Sequence, residues 1–292
     1  MSALNFNAAE VSPITPEQQS NDKVVAKLRN ILSIFHASQG HIRPHFMLTG
    51  PSGSGKSFTI ELLVQEFGLG FLTVNAASLT KEGTAGNSVS KALTPLLQMG
   101  SQLVVCFVDE FDKLFISGNN NSDLAHETTN GVQNEFLKVI EGKASVFGDY
   151  GKYISLTTDN VLFVFAGAFN GEEDVDIDRL REFGVKTEFL GRVGLTYGMA
   201  KVSLEELMSI LNDSPLLANY LKLFPDVDRE HCINTIMEVV RENYEQNTLG
   251  VRLLNTLLHK YFIEGGLTKP VAKQVAFQKT LSFQATRMSL AS

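Results

Sequence analysis

Apolar residues at Val24, Val25, Leu28, Ile31, Leu32 and Phe35 recur in steps of three and four, the spacing of one helical face. They predict a helix over residues 23–35, behind a polar, proline-punctuated stretch that reads as an extended arm over residues 1–20. A different pattern follows. FMLTG at 46–50, FLTVN at 71–75, LVVCFVD at 103–109 and VLFVFA at 161–166 are short, nearly unbroken apolar runs. Alternating runs mark strands wet on one side, whereas unbroken ones mark strands covered on both faces. A further strand is expected near 195–199. Helical spacing separates these runs in KSFTIELLVQEF, VSKALTPLLQMG and NGVQNEFLKVIEG. Strand and helix in alternation predict an α/β domain with a parallel five-stranded sheet and helices on both faces. After Lys201 the pattern is helical only, in SLEELMSIL, SPLLANYLKLF, REHCINTIMEVVRENYEQ and VRLLNTLLHKYFIEGG. The expected organisation is therefore an arm and helix over 1–44, a large α/β domain over 45–200, and a helical domain with a tail over 201–292. The pattern of the last 25 residues, polar and alternating, predicts no definite element.

Composition narrows the function classes. Hydrophobic content of 43% and charged content of 20% are those of an ordinary globular protein. No apolar run approaches the roughly 20 residues of a membrane span, and MSALNFNAAE has neither a basic start nor an apolar segment. A soluble, cytoplasmic protein without membrane partners is expected. Only Cys106 and Cys232 are present, too few for a disulfide framework or a four-cysteine zinc site. Cys106 lies within an apolar run and reads as core. His41 and His45 are four residues apart, but Pro44 between them disfavours the helix that would align them as metal ligands. The net charge of −7 comes without a basic stripe, which weighs against a domain built to cover nucleic acid.

Chemistry enters at Gly50-Pro51-Ser52-Gly53-Ser54-Gly55-Lys56-Ser57, a glycine-rich loop ending in Gly-Lys-Ser between a predicted strand and helix. Glycines let backbone amides turn inward around phosphates, and the helix N-terminus adds its positive end. Lys56 suits the β and γ phosphates of ATP, and Ser57 suits Mg2+. The run LVVCFVDE then delivers Asp109 and Glu110 to the carboxyl end of a strand, the edge at which open α/β sheets bind ligands. Asp109 fits the magnesium shell, and Glu110 fits orientation of the attacking water.

These motifs sit in an ordered set: GPSGSGKS, VDEFDK at 108–113, NGVQNEFLKVIEG at 130–142, VLFVFAGAF at 161–169, FGVKTEFLGR at 183–192 and GVR at 250–252. Between Phe46 and Leu257 the chain resembles AAA+ ATPases, and within them the core of ClpX-type protein unfoldases. The resemblance implies a P-loop NTPase fold with an all-helical lid, ATP hydrolysis, and a hexameric homo-oligomeric ring. It implies that Arg192 is an arginine finger reaching a neighbouring subunit's γ-phosphate, and that Arg252 is a sensor arginine tying the lid to the nucleotide. The sensor position after the fourth strand carries Ala166, Gly167 and Ala168, with Asn170 the candidate polar substitute.

Departures from the family pattern bear on the substrate. Where ClpX-type proteins carry a glycine-aromatic-small-glycine pore loop, this chain has Gly83-Thr84-Ala85-Gly86, with Lys81 beside it. Threonine lacks the broad gripping surface of an aromatic. Phe147, Tyr150 and Tyr153 are candidates to supply grip, or else form an aromatic hairpin packed on its own domain. The peptidase-docking loop has no counterpart, since only NGEEDVDIDRL fills the gap, and two cysteines leave no N-terminal zinc domain to expect. The expectation is an ATP-driven ring that remodels or disassembles a protein complex without a ClpP-type peptidase. A nucleic-acid motor or loader tracking DNA with Lys81 and a small polar pore loop is the alternative, and a nucleotide-locked scaffold is a third.

Overall fold

The computed structural model describes residues 16–80, 87–115, 123–147, 152–172, 175–244 and 249–267. They divide into two compact units, 1–203 and 204–292.

The first unit opens with α1 (Pro16–Ala37), β1 (Phe46–Thr49), α2 (Lys56–Glu66) and β2 (Gly70–Asn75). Next come α3 (Val89–Ala92), α4 (Leu96–Met99), β3 (Val104–Asp109), α5 (Asp123–Ile140) and the strands β4 (Lys143–Phe147) and β5 (Tyr153–Thr157). It closes with β6 (Val161–Ala166), α6 (Ile177–Glu182), α7 (Thr187–Arg192) and β7 (Leu195–Gly198). The five-stranded sheet has the order β2-β3-β6-β1-β7, and every pairing in it is parallel. β4 and β5 form a separate antiparallel hairpin.

Unbroken apolar strands are explained by cover on both faces. Phe46, Leu48, Val105, Phe107, Leu162 and Val164 pack with α1 and α2 through Leu28, Leu32, Phe35, Ile60 and Leu63. The alternate residues Met47, Cys106, Val108, Phe163 and Phe165 pack on the other side with Phe136 of α5 and Phe189 of α7. Phe111 sits at the centre of that second layer, 5.3 Å from the Phe189 ring and 4.9 Å from Phe165.

Two local expectations change. The helix of α1 begins at Pro16, so residues 16–20 are helical rather than extended; proline at a helix start gives up no intrahelical hydrogen bond. VSKALTPLLQMG is not one helix but α3 and α4, divided before Pro95. Proline there cannot donate to the preceding turn.

The second unit comprises α8 (Leu204–Asn212), α9 (Pro215–Leu223), α10 (Arg229–Glu242) and α11 (Val251–Ile263). Ser214 and Asp228 cap α9 and α10, each side chain accepting from a free backbone amide of the first turn. Leu207, Leu211, Leu217, Ile236, Val240, Leu254 and Leu258 are buried in it. Among the described residues no helix is long and apolar enough to cross a membrane.

Candidate active site

Strand register brings the site together. Leu48 of β1 pairs with Ala166 of β6, and Phe165 pairs with Val108 of β3. Leu48, Ala166 and Asp109 therefore lie at one level, and the chain leaves all three strands at the same edge.

After β1 the backbone turns through Gly50, Gly53 and Gly55 with φ of 130°, 77° and 85°. These values exclude side chains cheaply only at glycine. Gly50 is constrained twice, because a Cβ there would lie 2.1 Å from the carbonyl oxygen of Met199. That carbonyl is held in place: Met199 N donates to Thr49 O at 2.9 Å, extending the β1–β7 ladder. Buried Asn21 of α1 clasps the next residue, accepting from Ala200 N at 2.9 Å and donating to Ala200 O at 3.4 Å. No sequence signal pointed to Asn21, since a lone polar residue in a helix usually faces water.

Lys56 is buried, and its Nζ donates to Gly50 O at 2.7 Å, Pro51 O at 2.9 Å and Ser54 Oγ at 3.3 Å. The ammonium thus sits inside the loop at the start of α2, where the helix dipole also favours anions. The next residue, Ser57, faces Asp109 with its Oγ 3.4 Å from Oδ2. Asp109 divides its oxygens, because Oδ1 accepts from Glu110 N at 2.8 Å. Oδ2 and the Ser57 hydroxyl are hard oxygen donors side by side at the end of the glycine loop, a set that fits Mg2+.

Glu110 is exposed and adopts φ 55° and ψ 32°, left-handed backbone that a non-glycine residue occupies at a cost. The short helical turn beginning at buried Phe111 holds it there. A second left-handed segment ends β6: Phe169, Asn170 and Gly171 have φ of 43°, 60° and 80°. Asn170 is exposed on this turn, and a Cβ on Gly171 would lie 4.0 Å from Pro51 Cβ, so the turn borders the glycine loop. Arg179 of α6 secures the following residue, donating from Nε and Nη2 to both carboxylate oxygens of Glu172 at 2.8 and 2.6 Å. That bidentate pairing holds the Glu172 carboxyl below its usual pKa.

Arg192 ends α7 and is exposed, with Nη2 donating to Glu141 Oε1 at 2.7 Å. Arg252 lies in the first turn of α11, exposed, within the second unit. Lys81, Thr84, Ala85 and Tyr150 fall outside the described residues. Tyr153 is exposed at the start of β5, in register with Phe147. His45 is buried and accepts from Phe163 N at 3.0 Å through Nδ1, a structural role in place of a metal ligand. Cys106 is fully buried, and burial pushes its thiol pKa far up.

A glycine loop around a buried lysine, followed by a helix and facing a strand-end carboxylate on a parallel sheet, defines a P-loop domain. Residues 46–189 match the family described as "ATPase family associated with various cellular activities (AAA)". Several proteins named ATP-dependent Clp protease ATP-binding subunit ClpX are similar to the chain. That of Treponema denticola is 25% identical across 79% of this chain and 67% of its own length. The Borrelia duttonii protein is 25% identical across 80% of this chain and 65% of its own length. For Bacteroides thetaiotaomicron the identity is 23%, across 85% of this chain and 71% of the relative. The chain thus spans about two thirds of the length of these relatives. Residues 46–189 form an AAA domain, and the chain as a whole resembles ClpX.

Proposed function

We propose that the chain hydrolyses ATP and works as a homo-oligomeric, six-membered AAA+ ring that remodels or disassembles a protein complex without a peptidase. The observation that carries the reading is the convergence at one sheet edge of the Gly50–Ser57 loop, buried Lys56, Asp109 facing Ser57, and Glu110 beside them. The relatives' printed name, an ATP-binding subunit of a Clp protease, supports the nucleotide and the protein-handling class.

In this reading the loop amides and the start of α2 bind the phosphates. Lys56 exchanges its carbonyl acceptors for β and γ phosphate oxygens. Ser57 and Asp109 hold Mg2+, which when bound neutralises charge on the phosphates. Glu110 orients the attacking water, and its left-handed backbone fixes the side chain's origin relative to Asp109. Arg192 of a neighbouring copy stabilises charge on the γ-phosphate, an effect worth about 1,000-fold or more in rate. Arg252 links the helical unit to the nucleotide. Lys81, Thr84, Ala85 and Tyr150 are the residues proposed to meet substrate in the pore.

The test is steady-state ATP hydrolysis by the full chain, alone, with an unfolded polypeptide, and with DNA. Glu110→Gln serves as the blank and is expected to bind ATP without turning it over. Stimulation by polypeptide supports remodelling. Stimulation by DNA alone would replace it with a nucleic-acid motor. Turnover by Glu110→Gln at the parent rate would remove Glu110 from its assigned role.

A further inference from the structure

An arginine that acts on a neighbouring copy needs a defined direction before the neighbour arrives, because a long side chain free in water loses rotamer entropy on engagement. Contacts from α5 and from the residue after it supply a frame for the segment that carries Arg192. Buried Gln133 donates to Gly184 O at 3.3 Å and accepts from Lys186 N at 2.9 Å, fixing the residue that precedes α7. Asn134 Oδ1 accepts from Lys186 Nζ at 2.9 Å. Phe189, in the middle of α7, is locked into the aromatic layer against Phe111 and Phe165. Glu141, the residue after α5, places its carboxylate on the Arg192 guanidinium.

Glu141 is itself anchored. Thr158 is fully buried and donates through Oγ1 to Val139 O at 2.5 Å and through N to Gly142 O at 3.2 Å. Arg43 Nη1 in turn donates to Thr158 O at 2.7 Å. Gly142, with φ of 95°, makes the turn from Glu141 into β4, a backbone conformation that glycine adopts without steric cost. The carboxylate therefore projects from a fixed point, while Arg192 stays 57% exposed and able to reach outward. As a stabilising ion pair at this exposure it is worth little. Its use is directional, because one guanidinium edge is tied to Glu141 and the remaining donors stay available.

We infer that Glu141 is a positioning residue for Arg192, aiming the guanidinium out of its own subunit; the inference rests on the proposed role of Arg192 in hydrolysis. The test compares kcat and KM for ATP in the full-length parent, Arg192→Ala, Glu141→Ala, Glu141→Gln and the Arg192→Ala/Glu141→Ala double variant, with thermal unfolding of each. Glu141→Ala is expected to lower kcat about 10- to 100-fold, the scale of a misplaced catalytic group, with KM and melting temperature unchanged. Glu141→Gln keeps an acceptor oxygen and should recover most of the loss. The double variant should match Arg192→Ala. Parent-like kcat in Glu141→Ala beside a crippled Arg192→Ala would overturn the positioning role and leave the finger standing. A raised kcat in Glu141→Ala would overturn it as well, making the carboxylate a competitor of phosphate. Full turnover by Arg192→Ala would instead remove the finger, and this inference with it.

Discussion

His45 lies where protonation has nowhere to go. Its Nδ1 accepts from Phe163 N, so a proton on that nitrogen would face another N–H. Burial pushes the imidazole pKa down, the nearby Arg43 cation adds to the effect, and the Ile140 carbonyl offsets a smaller part, leaving it at about 4 against an ordinary 6.5. Above about pH 6.5 the ring is neutral in both folded and unfolded chains, and its full contribution is present. As pH falls below that, the unfolded chain takes up a proton that the folded chain refuses, and stability drops until about pH 4. At ~1.36 kcal/mol per unit the whole difference is about 3 kcal/mol, of which about 2 kcal/mol is lost between pH 7.5 and pH 5. Urea unfolding followed by far-ultraviolet circular dichroism at pH 7.5, 6 and 5 measures it, with His45→Gln as the comparison. Glutamine can still accept from Phe163 N but does not titrate. The two compact units can unfold in separate steps, so the transition to follow is the one that His45→Gln displaces. The parent should lose about 2 kcal/mol more than the variant across this range. Equal pH dependence in both proteins would refute the account of His45.

Lys56→Ala should abolish binding of a fluorescent ATP analogue, measured by anisotropy, because the loop then presents amides without the ammonium; retained affinity would count against the loop as the phosphate site. Gly50→Ala should lower stability by about 3 kcal/mol, or roughly 6–12 °C in melting temperature, since its Cβ would sit 2.1 Å from Met199 O. An unchanged melting temperature would show that the β1–β7 edge yields there.

How much was legible in advance depends on how far apart in sequence the cause of a feature lies. The central strands β1, β3 and β6 were readable because burial on both faces demands unbroken apolar runs, a local signature, whereas the edge strands β2 and β7 are partly exposed. The Gly50–Ser57 loop was readable because phosphate wrapping needs glycine at fixed spacing. Asp109 and Glu110 followed from their place at a strand end. The helix start at Pro16 and the break before Pro95 are less legible, because residues 16–20 are polar and carry no apolar stripe, and the apolar spacing of VSKALTPLLQMG runs on through its proline.

What the sequence determined alone was the class of fold and the chemical inventory of the site, since both are written in contiguous residues. Tertiary structure decided the pairings that order the inventory. It set strand register, which places Ser57 within 3.4 Å of Asp109. It also set the clasp of Asn21 on Ala200, 179 residues away, and the tie from Glu141 to Arg192 across 51. Such contacts join single polar side chains to partners chosen by packing of the apolar layers beneath them. No periodicity or motif encodes them, because hydrogen-bond partners separated by whole elements are fixed only once those elements have docked.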